Sequence, residues 1–393
     1  MNFLSGWQVG DGTGNFLAAA VEAFAKVQPD ITVNVETVKF DDLKVTVETE
    51  SVANEMPDLI TMNFTGENKP WLDDGLIADT TSYLTDWGIT DKLLPGVTDA
   101  WAYNGKLGGF PYQTGSWPMW YNMDLLKAAG VSEVPTTIDA LKDAATKLKA
   151  NGVAALCYPG KDWGGAGFFW LIDQLYTGAA DIQGIMQNGG FAASDAAQQG
   201  IDLLGDLRDS GVLIDNAAGY GYEDCANAYD QSKVAMAFFG SWSFTQISEP
   251  ILKVTQLGGF PLPDGAAFDK PIAFATGGNG ILMSQAAADD PAKVAAIKAF
   301  MDFLYSKDAL QLWISDPGNQ IAAVTSEASG PSTSTNVMLQ QNATLWDVAE
   351  PATLQDLYVK SGVDITPEIT WFIGTQGATA ADLAPRLDAL WQD

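Results

Sequence analysis

No segment of this 393-residue chain restricts its architecture more than residues 104–130. Lys106-Leu107-Gly108-Gly109-Phe110-Pro111 is short, apolar and punctuated by glycine. It reads as a strand whose backbone bends or lies close to a neighbour, and Pro111 denies it a place in the middle of a sheet. The chain must therefore leave the sheet at that point. A loop over 112–116 leads into Trp117, Pro118, Trp120 and Tyr121; Asn122 then offers an N-cap to a short helix, and Gly130 suits the position after its C-terminus. Large aromatics thus stand beside an expected hinge. Trp117 and Tyr121 are candidate ligand-facing residues, and Trp120 is the candidate for core.

At this length and 47% hydrophobic content the chain exceeds what one core usually serves, so two domains are expected. The first 62 residues repeat a strand, loop, helix rhythm: a strand over 1–7, a Gly-rich loop over 10–14, and a helix over 15–28 with Leu17, Ala20, Val21, Phe24 and Val27 at helical spacing. A strand over 31–35, a helix over 41–54 and a strand over 58–62 follow. This is an α/β pattern, and in open α/β sheets ligands bind at the carboxyl edge of the strands. Trp7, Asp11 and Asn63 are the candidates there. Gly10, Gly12 and Gly14 do not make a dinucleotide fingerprint, because the third glycine comes one place early and the second strand ends in Val38-Lys39 rather than an acidic residue.

Beyond the hinge, residues 136–139 read as a capping box opening a helix to about 151, and 154–158 as a buried strand. The loop 160–165, with Lys161 and Trp163 as candidate ligand contacts, leads into an apolar helix over 168–176. Helices are expected over 194–210 and 222–232, then an apolar strand over 234–239 that ends in Gly240-Ser241-Trp242. Small residues ahead of Trp242 let its ring project from the strand end. Residues 258–263 and the surroundings of Pro271 read as a return crossing, after which Gly278 and Asn279 sit in a Gly-rich stretch able to hydrogen-bond a ligand. Helices over 291–305, 308–314, 337–347 and 381–391 complete the chain, the last opened by a capping box at 379–382.

The chemistry is bounded by what the composition lacks. With no histidine, every mechanism that needs imidazole is absent. A net charge of −29 repels nucleic acid and anionic bilayers. Arg208 and Arg386 are the only guanidinium groups, and both are expected in polar helical surroundings away from the aromatic clusters, so a neutral ligand fits better than a carboxylate or phosphate. Thirteen Trp and eleven Tyr supply flat faces on which an apolar face of a neutral ligand can lie. No metal or cofactor motif is found. Cys157 and Cys225 leave both a disulfide and two free thiols open. No run approaches the ~18 apolar residues of a membrane span, and residues 1–4 are too short for a signal segment. One enzymatic alternative survives, a glycosidase with a carboxylate pair in an aromatic cleft.

The run GK-x-G-G-F-P followed by W-x-x-W-Y-N and a short helix resembles the extracellular solute-binding proteins of ABC importers, in their carbohydrate-binding group. Residues 28–31, 56–59, 240–242 and 277–279 extend the resemblance along nearly the whole chain. The resemblance implies a two-lobe clamp with three crossing segments near Pro111, Pro271 and Gly318. Lobe one would comprise 1–110 and 272–318, lobe two 111–271 and 319–393. It implies a monomer that closes on a neutral mono- or oligosaccharide, without catalysis or cofactor, and hands it to membrane permease subunits. Trp242 would stack on the sugar. It further implies an extracytoplasmic protein, periplasmic or held as a cell-surface lipoprotein, whose export signal has been removed.

Overall fold

The computed structural model describes residues 1–8, 10–354 and 358–392. The chain divides into two compact units, residues 1–115 with 276–339 and residues 116–275 with 340–393.

The first unit is built on a five-stranded sheet in the order Asn34–Thr37, Asn2–Ser5, Leu59–Met62, Gly280–Met283, Phe110–Pro111. The first three strands are parallel and Gly280–Met283 runs antiparallel to both its neighbours. Pro111 thus lies on an edge strand, where its missing N–H costs no ladder bond. Alternation along each strand sends residues to opposite faces. Phe3 and Ile281 pack with Phe16, Phe24 and Phe300 on one side, while Leu4, Ile60 and Leu282 pack with Leu43 and Val47 on the other. The helix expected over 15–28 begins earlier, spanning Gly12–Val27, because Asp11 caps it by accepting the Gly14 N–H at 2.8 Å.

Residues 319–339 belong to this unit, and the last crossing comes at 339–340 rather than near Gly318. The reason is hydrogen bonding: Gln113 Nε2 donates to Gln320 Oε1 at 2.8 Å, the Ala323 N–H donates to the Tyr112 carbonyl, and the Leu94 N–H donates to the Ala323 carbonyl. The other two crossings fall at 115–116 and 275–276, against the expected Pro111 and Pro271.

The second unit holds a four-stranded sheet in the order Thr255–Gly258, Met119–Asn122, Val234–Phe238, Ala154–Cys157. Val234–Phe238 is buried throughout, antiparallel to Met119–Asn122 and parallel to Ala154–Cys157. Asn122 caps its helix as expected, accepting from the Leu125 N–H. The capping box at 379–382 is present as well. At the helix Ile138–Ala150 the cap is Thr137 rather than Thr136, its hydroxyl accepting from the Ala140 N–H. The apolar helix expected over 168–176 is longer, Trp163–Asn188 with a break at Gly178. Near its end the Asp388 carboxylate accepts the N–H groups of Gly190, Phe191 and Ala192 at 2.7, 2.7 and 3.0 Å, which fastens the helix Ala380–Ala389. Cys157 and Cys225 form a disulfide, joining the end of a strand to the helix Tyr222–Asp230. Among the described residues no helix is long and apolar enough to cross a membrane.

Candidate functional site

The second unit gathers an aromatic group at the carboxyl end of Val234–Phe238. The strand stops at Gly240, and a 3-10 turn over Ser241–Thr245 places Trp242 half-buried with its ring folded back over Gly240. A Cβ at Gly240 would meet that ring at 2.2 Å, so the small residue ahead of Trp242 is a packing requirement. Trp163, the first residue of its helix, keeps 38% of its surface exposed and stacks on Tyr222 with centroids 4.7 Å apart and planes at 24°. Trp117 lies behind both, with centroids 5.6 Å from Trp163 and 5.5 Å from Trp242, and rests on Phe238 at 4.5 Å.

The support under these rings is polar where it must be. The Tyr222 hydroxyl pairs with Ser243 Oγ at 2.9 Å and accepts the Gly240 N–H at 3.0 Å. Burial pushes this phenol above its ordinary value, and the two hydrogen bonds offset part of that rise, so it stays a neutral structural hydroxyl. From the sequence Tyr222 is only a residue of a helix; its packing role depends on the remote contact with Trp163, which spacing does not reveal. The Trp117 indole N–H is buried without a hydrogen-bond partner among the described residues. Together the rings offer flat apolar faces, graded from exposed Trp163 through half-buried Trp242 to buried Trp117. Asp162, the neighbouring carboxylate, accepts the backbone N–H groups of Gly164 and Tyr222, which commits it to structure.

The structure brings Trp117, Trp163 and Trp242 together. Lys161 is exposed beside them, its N–H donating to the Tyr220 carbonyl. Tyr121 is corrected: it is fully buried in the Met119–Asn122 strand, its hydroxyl donating to the Gly259 carbonyl at 2.8 Å, and so belongs to the core. The two arginines also depart from expectation. Each guanidinium lies over an aromatic ring, Arg208 at 4.8 Å over Phe372 and Arg386 at 4.1 Å over Trp371, though neither of these belongs to the Trp117 group.

In the first unit Trp7 is buried among Phe16, Tyr112 and Trp313, with centroids 5.1 Å from Trp313. Asp11 serves as the helix cap and also accepts from Thr13 Oγ1 at 2.6 Å. Asn63 is half-buried, its carbonyl accepting from Asn68 Nδ2. Gly278 has a φ of 73° and lies against the backbone of Gln113, where a Cβ would fall 1.6 Å from the carbonyl oxygen; only glycine fits. Asn279 is buried, its backbone carbonyl accepting from the Gln113 N–H at 2.8 Å while its side-chain oxygen has no hydrogen-bond partner among the described residues.

Residues 10–311 match the profile of a family described as bacterial extracellular solute-binding protein. A binding protein of Brucella abortus (strain 2308) is 28% identical over 255 residues, 60% of this chain and 57% of that protein, so the chain spans less than two thirds of the curated relatives it matches first. Among solved structures, a probable secreted solute-binding lipoprotein from Streptomyces coelicolor superposes with a TM-score of 0.81 at 26% identity, covering 100% of this chain and 98% of that one. A chitin oligosaccharide binding protein superposes with a TM-score of 0.82 at 21% identity, again covering 100% and 98%, a likeness of fold.

Proposed function

The chain belongs to the bacterial extracellular solute-binding protein family, and from that premise we propose that it captures a neutral sugar or oligosaccharide on the aromatic group of the second unit. The observation that carries this reading is the exposed Trp163 ring, held flat on buried Tyr222 beside half-buried Trp242. Such a surface matches the apolar face of a pyranose, and stacking needs no counter-charge. Both arginines are engaged elsewhere: Arg208 donates to the Phe372 and Ala378 carbonyls and pairs with Asp209, and Arg386 pairs with Glu368. A neutral ligand is the natural consequence.

Lys161 joins Trp163 and Trp242 as a contact in this proposal, with the buried Trp117 ring packed behind them. The chain would act without turnover, as the substrate-binding component of an ABC importer that delivers sugar to membrane permease subunits from outside the cytoplasm. Titration calorimetry against a panel of neutral mono- and oligosaccharides tests the reading. One saturable site per chain is expected, with the ligand recovered intact after long incubation. Hydrolysed product at enzymatic rates, or no binding across the panel, overturns it.

A further inference from the structure

Two helices begin side by side in the second unit, and the first residue of each is a ring of the stacked pair: Trp163 opens Trp163–Asn188 and Tyr222 opens Tyr222–Asp230. One carboxylate lies between these helix starts. Asp162 Oδ1 accepts the Gly164 N–H at 3.0 Å and Oδ2 accepts the Tyr222 N–H at 2.7 Å. Both bonds satisfy N–H groups that a helix start leaves without an intrahelical partner, and both helix termini carry positive potential that favours the anion.

The surrounding sequence is fitted to this arrangement. A Cβ on Gly221 would meet Asp162 Oδ2 at 2.5 Å, and one on Gly165 would meet the Pro159 carbonyl at 2.6 Å. Replacing Gly221 would push the two helix starts apart, and replacing Gly165 would displace the loop at Pro159 and Gly160 that leads into the first of them. The backbone adds parallel ties, with the Gly160 N–H donating to the Ala217 carbonyl and the Lys161 N–H to the Tyr220 carbonyl. The Cys157–Cys225 disulfide fastens the same two segments from the other end.

We propose that Asp162 is a positioning residue for the aromatic group: by capping both helices with one carboxylate it fixes Trp163 over Tyr222 before any ligand arrives. It acts through those rings and does not itself bind ligand. This inference rests on the proposed sugar site for its functional consequence, but the geometry it asserts exists in the unliganded protein. Fixing the rings in advance removes ordering that a ligand would otherwise have to impose, so the clamp raises affinity without adding a contact.

The test joins two readouts. Near-ultraviolet circular dichroism of the unliganded protein reports the packing of the Trp163–Tyr222 pair, and calorimetry reports the affinity of whichever neutral sugar the wild type binds best. Asp162→Ala should alter the near-ultraviolet signal and weaken binding by about tenfold, the size of one lost helix cap. In a Trp163→Ala background the same change should weaken binding less than twofold, because the ring it positions is already gone. Ser194→Ala, which removes the cap of the helix Asp195–Asp209, serves as the control and should leave both readouts alone. If Asp162→Ala does not fold, Asp162→Asn keeps one acceptor oxygen and should move both readouts in the same direction by less. An unchanged near-ultraviolet signal, or a loss of affinity that is additive with Trp163→Ala, overturns the proposal. Absence of sugar binding in the wild type would overturn the proposed function, and the spectroscopic arm would then decide the clamp by itself.

Discussion

The side chain of Gln341 stands beside Leu257 as a neighbouring strand would: its Oε1 accepts the Leu257 N–H at 2.8 Å while its Nε2 donates to the Thr255 carbonyl at 2.8 Å. Thr255–Gly258 is the edge of its sheet, so one amide side chain blunts a row of backbone groups that would otherwise be open to pairing. Gln341→Ala should cost about 1 to 2 kcal/mol, and Gln341→Glu more, since a carboxylate would then face the Thr255 carbonyl. Urea denaturation of the three proteins checks the order; equal stabilities would show the pair of bonds to be incidental.

Trp163 and Trp117 should respond oppositely to truncation. If a ligand covers ~80 Å² of Trp163, Trp163→Ala should weaken sugar binding by about 2 kcal/mol, roughly thirtyfold, with little change in melting temperature. Trp117 is 3% exposed, and its loss should cost about 3 to 5 kcal/mol of folding stability. Trp242, half-buried, should show both effects, with a loss of affinity near 2.5 kcal/mol. A Trp163→Ala variant that binds normally would remove the ring from the site.

Asp173 is fully buried in the helix Trp163–Asn188, and neither carboxyl oxygen has a hydrogen-bond partner among the described residues. Burial holds its proton well above the usual carboxylate range. Because the folded chain keeps the proton to higher pH than the unfolded chain, this group's contribution to stability is full below about pH 4 and is lost as pH rises toward the folded value. Asp173→Asn should therefore gain on the wild type with rising pH, by up to about 1.4 kcal/mol per pH unit. Denaturation curves taken between pH 4 and 8 should diverge; a constant difference would count against a buried neutral acid.

The Cys157–Cys225 bond closes a loop with a sequence separation of 68. On chain entropy its loss should cost about 4 kcal/mol. Comparing the wild type with a Cys157→Ser, Cys225→Ser double variant in denaturant gives the value, and a cost below 1 kcal/mol would mean that the other ties between these segments suffice.

What the sequence disclosed was whatever rests on neighbours along the chain. The Asn122 cap, the 379–382 capping box, the edge placement of Pro111 and the strand, loop, helix rhythm of the first 62 residues all follow from local periodicity and capping chemistry. Trp163 and Trp242 were legible for the same reason, each standing beside glycines at the end of an element. What escaped depended on partners far off in sequence. Tyr222 matters because Asp162 holds it against Trp163, the two cysteines pair across a long loop, and residues 319–339 remain in the first unit through bonds to Gln113, Tyr112 and Leu94. Tyr121 misled because its aromatic neighbours in sequence suggested a cleft, whereas strand alternation turns it inward to Gly259.

Gly280–Met283 lies between Leu59–Met62 and Phe110–Pro111, so the central ladder of the first sheet waits for a strand made more than a hundred residues later. During vectorial synthesis the amino-terminal third emerges with the inner flank of Leu59–Met62 bare. A nascent chain arrested before Gly280 should remain sensitive to protease and ready to pair with other strands. The interleaved order of segments thus postpones completion of the first unit until most of the polypeptide exists, and it makes truncation at the second crossing far more damaging than removal of a terminal helix.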